Sequence, residues 1–562
     1  MDVVRGLTEL RRRKMAPYLL ELDLTQPLLE DRPTDPLARL LWRRRVSLPV
    51  VLRALSEARS DPKVAGLVAK VGARGMGFAT AQELCDAVKA FRAAGKHAVA
   101  WAETFGESSA ATVPYYLAAG FDEVWLQPSG EVGFVGVASN SLFLAEALDN
   151  AGVRRQIGTR HEYKNAANML LERSFTEPQR EATGRVVASL FEQMVDGVAR
   201  GRQLETATVR DLADRAPLAA KEAHEAGLVD RVGYRDEVYG ALRRRTSPDA
   251  QLLFAHRYRP RHQVEARFRR SVARRRGVVA LVSGSGRIRL GRSSDGPLPA
   301  AAMGSDTVGA ALRAAQADGR VRAVVFRVNS PGGSYVASDV IWREVSQLKH
   351  SGKTVVISMG DVAASGGYFV SAPADLIVAQ PGTLTGSIGV LGGKLSFADL
   401  LGRFGIRHGT IAAGLHARMM SAFDEFSPEE WQRLSDWLDR IYDDFVAKVA
   451  AGRSMTTEEV GNVARGRVWT GADAKERGLV DELGGLDLAV TLARERSGLP
   501  ADAELVRFPR ISTAERLRAP RSSEDPGAVA ASLDAWGPFG ALAARLGLPP
   551  SGPLAMLPLD IR

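Results

Sequence analysis

VRAVVFRVNSPGGS, residues 321–334, is a run of β-branched and aromatic residues that breaks into a proline-glycine-glycine turn. A continuous apolar run of this length reads as a parallel strand buried on both faces. The stretch has an earlier counterpart, VAGLVAKVGARGMG at 64–77. Two further blocks repeat in the same order. YYLAAGFDEVWLQPSGEVGFVGV (115–137) matches YFVSAPADLIVAQPGTLTGSIGV (368–390), and AHEAGLVDRVG (223–233) matches AKERGLVDELG (474–484). A repeat this long is a duplicated domain, not a solenoid unit.

Within the second copy, ASDVIWREVSQLKHSGK has helical spacing, TVVISMG and DLIVAQP read as strands, and AASGGYFVSAPA reads as a turn into a helix. Alternating strands and helices predict parallel βαβ units with right-handed crossovers. FSPEEWQRLSDWLDRIYDDFVAKVAAGR is expected to form one long amphipathic helix. The expected organisation is a basic N-terminal segment (1–50), a first repeat (51–245), an Arg-rich linker (246–278), a second repeat (279–500) and a C-terminal tail (501–562) rich in Pro, Ala and Gly.

The 562 residues are 45% hydrophobic and 25% charged, an ordinary globular composition. The formal net charge of +10 favours an acidic partner surface. The stretch 255–277 carries nine arginines and one glutamate. It reads as a solvated linker or as a patch for anionic lipid headgroups. Nucleic acid is not expected, because no reading motif accompanies the charge. The single cysteine, Cys85, excludes an intrachain disulfide and reads as a buried structural thiol in an amphipathic helix. No segment reaches the length of a membrane span, and the N-terminus lacks the pattern of a secretory signal, so peripheral attachment at a cytoplasmic face is expected.

Chemistry concentrates in GDVAASGGYFVSAPAD (360–375). Ser365 opens a helix, and Gly366 and Gly367 leave room for a carbonyl to approach the backbone. The turn NSPGGS adds small residues from a second strand end. The N–H of Gly366 with that of Gly332 or Gly333 would form an oxyanion hole. None of the eight histidines sits in a segment that marks a Ser-His-Asp triad, and G-x-S-x-G is absent. Their spacing forms no metal site either, and no cofactor is expected. A lysine serves as base when burial lowers its pKa. The repeat aligns Ser365 with Thr112 and Lys164, in RHEYKNAANM, with Ala417. One half keeps a nucleophile without the lysine, the other the lysine without the nucleophile, which makes a composite site.

NSPGG, GDVAASGGYFVSAPAD, GTLTGSIGV and GRVWTGADAKERGLVDELGG (466–485) together resemble the signal peptide peptidase A family of Ser–Lys peptidases, in its long, duplicated form. The resemblance spans about residues 55–495. It implies two tandem Clp-protease/crotonase-like domains, with Ser365 as nucleophile, Lys164 as general base, and Gly366 with Gly333 or Gly332 at the oxyanion. It also implies homo-oligomers, tetrameric in the long form, that degrade apolar peptides such as cleaved signal peptides at a membrane surface. Many long members carry an N-terminal membrane helix that this sequence lacks. The same glycine turns also suit a crotonase-like enzyme acting on an acyl-thioester, and an inactive membrane-associated scaffold is a further reading.

Overall fold

A computed structural model describes residues 16–31, 42, 45–72, 75–107, 109–259, 277–294, 301–509 and 560–561. The basic run 11–14, most of the Arg-rich stretch and the tail from 510 to 559 lie outside these residues.

VRAVVFRVNS forms the strand Val321–Ser330, and six consecutive residues of it are buried, as a central parallel strand requires. Each Val or Phe so buried contributes roughly 1.5–3 kcal/mol of apolar transfer. It lies inside a sheet ordered Leu505–Arg507, Val278–Ser285, Val321–Ser330, Thr354–Ala364, Leu376–Ala379, Glu482–Leu483, with every pairing parallel. The first half builds the same order: Gln251–Phe254, Tyr18–Leu24, Val64–Val71, His97–Ala102, Glu123–Leu126, Arg231–Val232, again all parallel. The duplication seen in the sequence is therefore a duplication of topology. Both halves are α/β with parallel βαβ units, as expected.

The correspondence extends to detail. Leu384–Gly386 pairs antiparallel with Val468–Thr470, and Glu131–Val132 pairs antiparallel with Leu218–Ala219. Each half carries a 26-residue helix, Glu177–Arg202 and Pro428–Arg453. Thr176 and Ser427 cap their N-termini with side-chain oxygens, and Gln203 and Ser454 end them in the left-handed region. Cys85, on the helix Phe78–Ala93, is half-buried rather than fully buried, and desolvation pushes its thiol well up from the usual range.

The halves interlock. A strand of the first, Arg154–Thr159, pairs antiparallel with Leu391–Ser396 of the second. One core cluster joins Leu84, Phe91 and Leu190 to Val325, Val356 and Val490 across the two.

Candidate active site

The strand Thr354–Ala364 runs longer than expected. Residues 361–364 extend it, Ala363 and Ala364 instead of opening a turn, so the change of direction is compressed into Ser365. Ser365 has φ 54° and ψ −115°, a conformation that L-residues rarely adopt. Its N–H donates to Gly386 O at 2.8 Å, and its carbonyl accepts from Phe369 N at 2.8 Å. These bonds hold the strained residue at the mouth of the short helix Gly366–Ser371. Ser365 is fully buried.

The glycines after it leave no room for side chains. A Cβ on Gly367 would lie 2.6 Å from Ser330 O, and one on Gly366 would lie 2.7 Å from Ser338 Oγ and 3.2 Å from Gly333 N. The NSPGGS turn thus abuts Gly366. Gly332 and Gly333 have φ of 100° and 156°, and Ile288 clamps the turn by donating to Gly332 O and accepting from Ser334 N. Gly332 N donates to Ser330 Oγ at 3.1 Å, so its N–H is already engaged.

Lys164 arrives from the other half. It follows the strand Arg154–Thr159, which is paired to Leu391–Ser396. Arg160 N donates to Val390 O, and Tyr163 N donates to Arg465 O. The arm is pinned further by Arg160, which donates to the Asp439 carboxylate and to Ser435 O on the helix Pro428–Arg453. Gly466 makes the close approach possible, since a Cβ there would lie 2.4 Å from Lys164 N.

Lys164 is 2% exposed. Its Nζ lies 2.9 Å from Ser365 Oγ, 2.9 Å from Ser387 O and 3.0 Å from Ser387 Oγ. Among the described residues no carboxylate compensates the charge. Desolvation alone lowers the lysine to about 7, so much of it is a neutral amine at neutral pH. Nζ and Oγ therefore meet at hydrogen-bond distance although 201 residues separate them.

Ser387 escaped the sequence reading. Its signal is a contrast within the repeat: GTLTGSIGV carries Ser387 where GEVGFVGV carries Phe134, an ordinary core residue. A buried hydroxyl replacing a buried ring marks a place with a polar task. Thr112, the counterpart of Ser365, donates its hydroxyl to Gly136 O at 2.8 Å and begins the helix Thr112–Ala119.

A strained serine beside a desolvated lysine, with glycine turns around them, is an arrangement in which a neutral amine can take the proton of a serine hydroxyl. The sequence profile of peptidase family S49 matches residues 90–247 and 347–500, one segment in each half. The chain belongs to that family. It is 32% identical over 462 residues to Protease 4 of Salmonella typhi, covering 81% of this chain and 72% of that one. It is 29% identical over 473 residues to the chloroplastic serine protease SPPA of Arabidopsis thaliana, covering 83% and 68%. Among solved structures, a ClpP1 mutant from Listeria monocytogenes aligns at 15% identity and a TM-score of 0.24, over 37% of this chain and 94% of that one.

Proposed function

We propose that this chain is a serine endopeptidase that cleaves apolar peptides, cleaved signal peptides among them, through an acyl-enzyme on Ser365. The observation that carries the reading is the 2.9 Å contact between Ser365 Oγ and Nζ of Lys164, whose pKa burial lowers to about 7. Lys164 accepts the serine proton as Oγ attacks the scissile carbonyl carbon. The oxyanion forms toward the N–H groups of Gly366 and Gly333. The resulting ammonium protonates the leaving amine as the C–N bond breaks, which leaves an ester on Ser365. Water, losing a proton to the same lysine, attacks the ester; as the C–O bond breaks, the ammonium returns that proton to Ser365 Oγ and the peptide acid is released. Ser387 orients the amine through its hydroxyl and its carbonyl. Family membership and the names of the relatives, a serine protease and Protease 4, support the peptidase reading over the thioester reading.

Ser365→Ala and Lys164→Ala test it: each variant should fold and each should lose cleavage of an apolar fluorogenic peptide. Fluorophosphonate labelling of wild type at Ser365 supports the reading. Saturable coenzyme A binding without labelling would overturn it.

The reading includes assembly of copies. In the repeat, 406–412 corresponds to 153–159, and 138–143 corresponds to 391–396. The αL glycines Gly152 and Gly405 that end the two preceding helices mark the same alignment. Arg154–Thr159 has found Leu391–Ser396 within the chain. Residues 406–412 join no strand, and Ile406 and Ile411 are exposed, as is Leu142 on the corresponding edge. The unpaired segment 406–412 of one copy fits the edge 138–143 of the next in a head-to-tail contact, in place of Asp560–Ile561, which pairs with Ser139 and Asn140 in the single chain. Attachment to an anionic membrane surface belongs to the same reading. It is supported by the net charge of +10, and among the described residues no helix is long and apolar enough to cross a membrane.

A further inference from the structure

Lys164 belongs to the first half and Ser365 to the second, so the distance between them depends on how the halves are locked. The strand that delivers Ser365 is irregular just before it. It pairs with Val321–Ser330 as far as Val328 opposite Met359, then shifts register and resumes with Ser330 opposite Ala363. On its other edge it leaves Leu376–Ala379 after Ser358 and takes up Leu384–Gly386 at Val362. Gly360 and Asp361 therefore sit in a kink between two partner strands.

Side chains replace the missing ladder. Arg327 Nη1 donates to Met359 O at 3.1 Å, Thr383 Oγ1 donates to Gly360 O at 2.8 Å, and Val362 N donates to Asn329 Oδ1 at 3.1 Å. Asp361 reaches across to the other half. Its carboxylate accepts from Thr80 N at 2.8 Å and from Thr80 Oγ1 at 2.8 Å. Thr80 lies in the first turn of Phe78–Ala93, whose N-cap, Gly77, has no side chain. A Cβ on Gly77 would lie 2.0 Å from Asp361 Cγ, so the carboxylate occupies the place of a capping side chain.

The cap is reciprocated. Glu83, on that same helix, accepts from Leu486 N at 2.5 Å, at the start of the second-half helix Leu486–Arg496. Arg327 Nη2 closes the network, 2.9 Å from both Glu83 Oε2 and Glu30 Oε1. Burial raises the carboxyls of Asp361 and Glu83, and Glu30 opposes both ionisations while Arg327 favours them. A desolvated network of this kind is a weak source of stability, because apolar residues of similar volume serve as well. What it supplies here is a fixed geometry between the halves.

We propose that Asp361 is a positioning residue for the Ser365–Lys164 pair: by capping the first-half helix at Thr80 it holds the kinked end of the serine strand against the half that carries the lysine. It touches neither substrate nor a reacting atom. The proposal rests on the peptidase reading above.

The test uses full-length Asp361→Asn, Thr80→Val and Thr80→Ser, with folding checked by circular dichroism and melting. Thr80→Val keeps the shape and loses the hydroxyl donor, whereas Thr80→Ser keeps the donor. Asp361→Asn and Thr80→Val should lower kcat and the rate of fluorophosphonate labelling about tenfold to a hundredfold, as a small misplacement of reacting groups does. KM should stay within about twofold, since ground-state binding is untouched. Thr80→Ser should match wild type, and the double variant should be no worse than the weaker single one. Wild-type kcat in folded Asp361→Asn or Thr80→Val overturns the proposal. So does a loss that is equal in Thr80→Ser and Thr80→Val and merely follows melting temperature. A wild-type protein that fluorophosphonate does not label overturns the peptidase reading itself, and the positioning role with it.

Discussion

At the scale of the residue, burial is what suits Lys164 to the proposed role of base. Its pKa falls to about 7 by desolvation alone. A general base must be unprotonated, so kcat/KM should rise with pH through about 7 and be lost below it; a pH–rate profile without that limb would remove Lys164 from the role. Lys164→Ala should lower kcat by roughly a hundredfold to ten-thousandfold, the usual worth of a positioned base. Ser387→Ala leaves the backbone carbonyl in place and removes one hydroxyl partner. A smaller loss of about threefold to tenfold is expected.

The same burial has a stability consequence. The folded-state pKa lies below the unfolded value of 10.5, so the unfolded chain binds the extra proton between about pH 7 and 10.5. The cost to the fold is fully present below pH 7 and shrinks as pH rises through that window. Lys164→Met should therefore raise the melting temperature more at pH 6 than at pH 9. Equal gains at both would mean that the charge carries no penalty.

At the scale of the element, the serine strand, its turn and its short helix act as one piece. Gly367 shows which effect wins. In an ordinary helix, Gly→Ala gains about 1 kcal/mol from propensity. Here the added methyl meets Ser330 O, a backbone atom that cannot swing aside, at 2.6 Å. The overpacking cost of about 1–3 kcal/mol exceeds that gain. Gly367→Ala should be destabilised in urea titration and inactive, and a stabilised, active variant would contradict the tight packing.

At the scale of the whole molecule, the repeat makes one internal contact, and in the counterpart the segment 406–412 stays unpaired. In the register of Arg154–Thr159 on Leu391–Ser396, Ile157 faces Gly393. By the repeat, Thr410 of one copy should face Asn140 of the next. Asn140→Cys/Thr410→Cys should cross-link into a multimer ladder on oxidation, whereas either single variant should not, because Cys85 is half-buried and its thiol stays protonated. Asp560–Ile561 pairs with Ser139 and Asn140 in the single chain, so truncation before 560 should leave the ladder intact or strengthen it. Monomeric sedimentation of wild type would end the assembly reading. Flotation with anionic liposomes tests the membrane surface. Binding should fall when arginines of 255–277 are removed, and an intact protein that stays at the bottom would exclude it.

Much of this was legible in the chain itself. The duplication, the parallel α/β class, the long helix of the second half and the paired glycine turns all follow from local pattern, because strand burial and helix periodicity are written residue by residue. The repeat also made the absence of a base near Ser365 informative, and it pointed to Lys164 through what each half lacks. Other features depend on packing between the halves. Ser387 and Asp361 bond to partners hundreds of positions away, and apart from the contrast of Ser387 with Phe134 in the repeat, their sequence neighbours do not mark them. The 2.9 Å between Nζ and Oγ, and the dry surroundings that lower the lysine, exist only once the first-half arm is clamped onto the second. Desolvation and cross-chain capping are properties of the assembled interior. Tertiary structure alone decides them, since they depend on which surfaces meet and on how much water is excluded when they do.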